Sequence, residues 1–195
     1  MKNIYLFELS DIFDNQVYLP YSSGVVWSYV KNNPIISAQY DLKEWFFARE
    51  DIEDIISRVK APDFLIFSCF MWNWNLNCKL AKKLKKTFPN CKVIFGGQHQ
   101  PLADRNQGFF RNYPFVDILI HNEGEISLEE ILLGYKLKDI KGITYQENKK
   151  EITTLPRKRI KDISFSPSPY LDGSFDLLLE QNKKNKNFSF HATVE

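Results

Sequence analysis

Residues able to do chemistry fall in four short segments. Gly96-Gly97 leaves one apolar run and Glu123-Gly124-Glu125 leaves another. Cys69-Phe70-Met71-Trp72-Asn73-Trp74 sets a thiol, an amide and two indoles close behind Ser68. Leu19-Pro20-Tyr21-Ser22-Ser23-Gly24 closes a long stretch that begins at Glu8. A glycine pair lets a ligand pass close to the backbone, and it serves equally as an ordinary strand-exit turn. Two tryptophans on a loop either cover a sheet edge or wall a flat apolar ligand. Acidic residues ahead of a helix are stabilised by its dipole, and Gly124 between them can offer its backbone to a ligand. Ser22 or Ser23 suits a helix N-cap.

Metal and redox chemistry find less support. Cys69, Cys78 and Cys91 are too few and too scattered for a disulfide framework, which implies a reduced, cytoplasmic setting. His99 and His121 both follow apolar runs, but no carboxylate–cysteine cluster at ligand spacing accompanies them, so no metal site is expected.

These segments need elements to hold them. Short apolar runs alternate with helical patterns, the signature of βαβ units on a parallel sheet. The strands expected are Ile4 to Phe7, Ile35 to Ala38, Phe64 to Phe67, Val93 to Phe95 and Val116 to Ile120. Val26, Tyr29 and Val30 share a face of the first helix, which ends near Asn33 because Pro34 follows. Ile52, Ile55, Ile56 and Val59 form the stripe of a second helix, and Leu76, Leu80, Leu84 and Phe88 that of a third. Lys82, Lys83, Lys85 and Lys86 make the third helix's wet face. Pro101 to Tyr113 reads as a short helix. For the fifth helix, Ser127 is the expected cap, with Glu130 completing a capping box and Ile126 stapled onto Ile131. Right-handed crossovers then give an open, doubly wound α/β sheet of five parallel strands, flavodoxin-like or Rossmann-like.

After Tyr135 the pattern changes. Ile143 to Gln146 and Glu151 to Thr154 read as a hairpin, and Ile163 to Pro169 as a linker. Phe175 to Leu179 suggests a helical turn before the polar run Gln181 to Asn187, and Phe188 to Glu195 an extended strand with no partner. The division expected is an α/β domain over 1–136, followed by hairpin, linker and strand over 137–195.

Of the 195 residues, 44% are apolar and 15% aromatic, enough for a substantial core. A formal charge of +2 is too weak to argue for nucleic acid, and no apolar run approaches a membrane span. Neither nucleic acid nor membrane is therefore expected as a partner.

Taken in order, Tyr18-Leu19-Pro20-Tyr21-Ser22 with Gly24, Phe67-Ser68-Cys69 before Trp72-Asn73-Trp74, Val93-Ile94-Phe95-Gly96-Gly97, and Phe115-Val116-Asp117 leading to Glu123-Gly124-Glu125 resemble the cobalamin-binding domain of cobalamin-dependent radical SAM proteins. Ser166-Pro167-Ser168-Pro169-Tyr170-Leu171 looks like that family's linker into its catalytic barrel. The resemblance implies cobalamin as cofactor, its tail drawn into the sheet–helix crevice beside Ser68, Gly96 and Gly97. Glu123, Gly124 and Glu125 would border the corrin. Tyr18, Pro20, Tyr21, Gly24, Cys69, Trp72, Asn73 and Gln98 complete the site that it implies.

Two departures shape that expectation. The Asp-x-His-x-x-Gly signature of other cobalamin carriers is missing, so no histidine of that loop reaches cobalt. The cysteines at 69, 78 and 91 do not form the Cys-x-x-x-Cys-x-x-Cys that holds an iron–sulfur cluster in the family's barrel. His191 to Glu195 looks like the first strand of that barrel. Radical chemistry, the cluster and S-adenosylmethionine would then belong to a barrel in cis or in trans, and this chain alone is expected to be inactive.

Other readings fit less well. A phosphoacceptor receiver needs an aspartate where Ser68-Cys69 stand, and an acidic pair where Glu8 is alone. A flavin or dinucleotide binder needs a glycine- or hydroxyl-rich loop after the first strand, where Leu9-Ser10-Asp11-Ile12 stands. A signalling or structural domain without cofactor, and a stand-alone cobalamin carrier or sensor, are the alternatives.

Overall fold

The computed structural model of the chain describes residues 1–192. In chain order its elements begin with β1 (Lys2–Ser10), β2 (Gln16–Tyr18), α1 (Tyr21–Lys31), α2 (Pro34–Gln39), β3 (Tyr40–Ala48) and α3 (Ile52–Arg58). The middle holds β4 (Phe64–Ser68), α4 (Trp74–Thr87), β5 (Lys92–Gly96), α5 (Phe109–Asn112), β6 (Ile118–Ile120) and α6 (Glu125–Leu132). A hairpin, β7 (Ile143–Glu147) and β8 (Lys150–Thr153), precedes α7 (Asp176–Asn185) and β9 (Ser189–His191).

The sheet runs β3-β1-β4-β5-β6-β7-β8, and its first five strands are parallel. Numbered among themselves, those five follow the flavodoxin-like order 2-1-3-4-5, with the reversal between β1 and β4. Hydrophobic cores form on both faces. Leu6, Trp45, Ile94 and Ile118 pack with α1 and α6 on one; Phe7, Phe46, Phe67 and Phe95 pack with α3, α4 and α5 on the other.

Several local expectations are corrected. Ile35 to Ala38 is not a strand but lies in α2, because Pro34 starts a helix and the Asn33 side chain accepts from Ile35 N–H at 3.0 Å. The second parallel strand is β3, where Trp45 and Phe47 face one core and Phe46 the other. Ser127 does not cap the fifth helix: α6 begins two residues earlier, behind Gly124, and the Ser127 hydroxyl donates to Lys141 O at 2.9 Å. Glu130 is ion-paired with Arg157 instead of closing a capping box.

The hairpin is where the pattern placed it, but it extends the main sheet, β7 pairing antiparallel with β6. The turn at Phe175 to Leu179 is part of the ten-residue α7, which absorbs much of the polar run. Of the final extended segment, Ser189–His191 pairs in parallel with β2, so its partner lies upstream. Residues 193–195 of that segment lie outside the described residues.

Candidate functional site

Strand register lays three residues side by side at the carboxyl rim. Phe7 is level with Phe67, so Glu8 is level with Ser68, and Ser68 pairs with Gly96. Side chains alternate along a strand. Because Phe7, Phe67 and Phe95 face α3–α5, Glu8, Ser68 and Gly96 all face α1 and α6. A carboxylate, a hydroxyl and a missing side chain thus cross β1, β4 and β5 in one line, next to the strand reversal.

Glu8 is only 7% exposed. Its Oε2 accepts from Ser23 N–H at 2.7 Å, and Trp45 Nε1 donates to the Ser23 hydroxyl at 3.3 Å. Burial drives the Glu8 carboxyl above its ordinary range, while hydrogen bonds from Ser23, Ser68 and the Ser22 backbone pull it partly back. Sequence reasoning placed Glu8 at the start of the candidate stretch to Gly24 and weighed it as an ill-fitting receiver acid, without naming it a site residue; the signal for its burial was a lone carboxylate inside the apolar run Ile4 to Leu9.

The two neighbouring glycines have opposite surroundings. No heavy atom lies within 4 Å of where a β carbon on Gly96 would stand. At Gly97, φ is +98°, and a β carbon would stand 2.6 Å from Cys69 O and 2.7 Å from Cys69 N. Cys69 N–H donates to Gly96 O at 2.7 Å, and His99 N–H donates to Cys69 O at 3.0 Å. Gly97 therefore locks the loops after β4 and β5 together, whereas Gly96 borders open space.

The segment behind Ser68 divides in the same way. Asn73 is fully buried: its Oδ1 accepts from Phe70 N–H at 2.8 Å, and its amide donates to Leu9 O and Ser68 O at 3.3 and 3.1 Å. Cys69 is buried in the α4 core, and burial raises its thiol far from the thiolate form. Trp74 turns inward, edge-on to Phe95 and Tyr113 on the α4 face. Trp72 turns outward, 52% exposed and stacked on Phe70 at 4.5 Å. Neither indole covers Gly96. Arg49 ties this loop to the one after β1, donating to Trp72 O at 2.6 Å and pairing with Asp11 at 2.6 Å.

At the far side of the rim, Gly124 packs at ordinary distance from Val26 of α1, and Glu123 pairs loosely with Arg159 at 3.8 Å. Glu125 is buried; its Oε2 has no partner among the described residues, and burial raises its carboxyl. Gln100 is buried too, donating to Ile120 O while its own Oε1 stands unpartnered among the described residues. Gln98 and His99 are exposed.

The earlier segment lies along α1. Pro20 is buried ahead of the helix, Tyr21 stacks on Tyr170 at 5.7 Å, and Gly24 admits Phe175, whose ring atom would stand 2.6 Å from an added β carbon. Tyr18 is exposed on β2 with the His191 ring 5.3 Å away, and His191 Nε2 meets Gln16 Oε1 at 2.5 Å. His121 is buried against Thr144 at 2.7 Å, and burial lowers its proton affinity. No group of three or more His, Cys, Asp or Glu among the described residues could hold a metal.

Away from the rim, an open hollow of about 500 Å³ is lined by Gln107, Gly108, Arg111, Gln146, Lys149 and Glu151. Antiparallel pairing of β7 carries its hairpin tip to the opposite end of the parallel strands, so this hollow is separate from the rim. No described helix is long and apolar enough to cross a membrane.

No family model matches the chain. It is 33% identical over 165 residues to the cobalamin-dependent radical SAM methyltransferase TokK of Streptomyces tokunonensis. It is 32% identical over 165 residues to the 2-(S-pantetheinyl)-carbapenam-3-carboxylate methyltransferase of Streptantibioticus cattleyicolor. Each alignment covers 82% of this chain and 24% of the relative, so the chain spans about a quarter of their length. Among solved structures, the cobalamin-dependent S-adenosylmethionine radical enzyme OxsB, with aqua-cobalamin and S-adenosylmethionine bound, superimposes with a TM-score of 0.66 at 17% identity. That match covers 92% of this chain and 25% of OxsB. TsrM from Kitasatospora setae, with cobalamin and a [4Fe-4S] cluster bound, gives 0.57 at 11% identity over 86% of this chain and 31% of TsrM. At these identities the two structures support the fold alone.

Proposed function

We propose that this chain, a homologue of the N-terminal part of cobalamin-dependent radical SAM methyltransferases, binds cobalamin at the carboxyl rim of its parallel sheet. The observation that carries the reading is the open space over Gly96, on the α1–α6 face beside the strand reversal. Open α/β sheets take ligands at that point. The residues present fit so large a guest. Phe13, Met71, Trp72 and Leu102 stand exposed on the loops after β1, β4 and β5, where a guest entering at the rim would meet them. Gln100 Oε1 and Glu125 Oε2 are acceptors in need of donors, and a corrin carries amide N–H groups around its edge.

In this reading Trp72 offers a flat apolar face to the corrin, and Gly96 with Ser68 borders the channel for the tail. Gly97 and Asn73 hold the loops that shape that channel. The stretch from Glu8 to Gly24 contains no histidine and lacks the Asp-x-His-x-x-Gly signature, so a His-off spectrum is expected. When bound, cobalamin supplies a cobalt centre able to carry a methyl group. Residues 1–136 would form the cofactor-binding unit, with 137–195 leading toward a radical SAM barrel in cis or in trans. The iron–sulfur cluster and S-adenosylmethionine would belong to that barrel.

The test is co-elution. Purified protein mixed with hydroxocobalamin should carry its colour through gel filtration, with a base-off, His-off spectrum. Pigment that elutes wholly free of the protein refutes the assignment.

A further inference from the structure

The loop over 97–108 leaves β5 at the carboxyl rim, carries Gln98 and Leu102, and lies outside any helix or strand until α5 begins. Such a loop has no ladder of its own to fix it, so its place depends on what it is tied to. Its first ties are at the rim. His99 N–H donates to Cys69 O at 3.0 Å, and the Gln100 amide donates to Ile120 O. The later ties all lead to the β7–β8 hairpin, outside the parallel part of the sheet. The buried Asn106 amide donates to Thr144 Oγ1 at 2.7 Å and to Thr153 Oγ1 at 3.1 Å. Both oxygens of Glu151 are used as well, Oε2 by Gly108 N–H at 2.7 Å and Oε1 by Phe110 N–H at 2.9 Å.

Thr144 is the hub of this arrangement. It is fully buried and level with Leu119, on the face packed by α4 and α5, where an apolar residue would ordinarily stand. Its hydroxyl also meets His121 Nε2 at 2.7 Å and Thr153 Oγ1 at 3.0 Å. Donors and acceptors balance here. With His121 Nε2 accepting, Thr153 donates to Thr144 and Thr144 to His121; with Nε2 donating, both steps reverse. In either sense the two Asn106 N–H groups find one hydroxyl each. A buried network so fully satisfied rigidifies what it joins, and breaking one member leaves the others unpaired.

We propose that the hairpin sets the position of the rim loop, with Thr144, Thr153 and Glu151 as positioning residues that raise ligand affinity at the rim without touching the ligand. This rests on the cobalamin reading and adds a control to it. A loop already held in place presents Gln98 and Leu102 to the guest with little ordering left to do at binding.

Arg105, exposed, is the one trypsin site within the loop, so cleavage there reports its opening while visible absorbance reports hydroxocobalamin binding. Thr144→Val keeps the shape of the side chain and removes the hydroxyl. Loss of an ordinary hydrogen bond corresponds to about tenfold, so cleavage at Arg105 should quicken by about tenfold or more, and hydroxocobalamin should bind about three- to tenfold more weakly. Thr144→Ser, which restores the hydroxyl, should return both readings to within about twofold of wild type. Thr153→Val, at an exposed position where Asn106 keeps Thr144, should show the same pair of changes at smaller size, and it carries the comparison should Thr144→Val fold poorly. Faster cleavage with unchanged affinity overturns the proposal, because the loop would then be anchored without serving the ligand. Unchanged cleavage overturns it too, because the hairpin would not be what holds the loop. Wild type that never retains the pigment removes the cobalamin reading and the positioning role with it, whereas equal retention by every variant removes the positioning role alone.

Discussion

Gly96 and Gly97 are neighbours with opposite predicted phenotypes, and substituting each separates the ligand channel from the loop lock. A side chain on Gly96 meets no atom within 4 Å at its β carbon, and the residue ends a strand. Gly96→Phe should therefore change stability by about 0.5 kcal/mol or less, a shift within about 2 °C for a chain of this length. It fills the space proposed for the tail, so hydroxocobalamin should elute free. Gly97→Ala is the reverse. Its β carbon would stand 2.6 Å from Cys69 O at φ +98°, where backbone strain and displacement together cost about 2–3 kcal/mol. That predicts a fall of about 4–12 °C in melting temperature. Circular dichroism melts without ligand, run beside gel filtration with hydroxocobalamin, measure both quantities on the same samples. The reasoning is refuted if Gly96→Phe destabilises as much as Gly97→Ala, or if Gly96→Phe keeps its pigment.

Three further outcomes follow from the same geometry. The folded value of Glu8 lies above its ordinary 4.5, so its contribution is full below pH 4.5 and is lost as pH rises through the raised value. The melting temperature of Glu8→Gln should thus gain on wild type as pH rises from 4.5, and a gap that stays flat between about pH 4 and about pH 8 contradicts a buried, raised carboxyl. Trp72→Ala removes a half-exposed ring stacked on Phe70, so melting should move by less than about 2 °C while hydroxocobalamin affinity drops at least about tenfold; unchanged affinity takes Trp72 out of the site. Asn73→Ala strips hydrogen bonds from Phe70 N–H, Leu9 O and Ser68 O in a buried setting, for a loss of about 2–4 kcal/mol in urea unfolding; a loss under about 0.5 kcal/mol would mean that the loop holds itself.

Much of this fold was legible because buried parallel strands leave continuous apolar runs, as Phe64 to Phe67 and Val93 to Phe95 do. β3 escaped for the complementary reason. It opens on Tyr40-Asp41-Leu42-Lys43-Glu44, whose polar residues suit an edge strand, while Ile35-Ile36 just upstream imitates a strand that Asn33 and Pro34 turn into a helix. The parallel pairing of β2 with β9 joins segments at the two ends of the sequence, and local pattern carries no trace of such a contact. Within the rim, the glycine pair could be found as a motif. Its division of labour could not, because what separates Gly97 from Gly96 is the backbone of Cys69 in the loop after β4.

The C-terminal segment gives the rim its direction. Pro167 O accepts from the Ser28 hydroxyl at 3.0 Å, Asp172 pairs with Lys31 at 3.4 Å, and Phe175 lies over Gly24 and against Trp45, its ring 5.3 Å away. Further on, Gln181 donates to Lys43 O at 3.3 Å and accepts from Trp45 N–H at 3.4 Å along the edge strand, and β9 pairs with β2. Residues from about 167 to 191 therefore wall the outer flank of α1 and the β3 edge. A ligand reaching Gly96 is left to approach over the loops after β1, β4 and β5. Those loops expose Phe13, Met71, Trp72 and Leu102, so the route left open by the packing is also the apolar one.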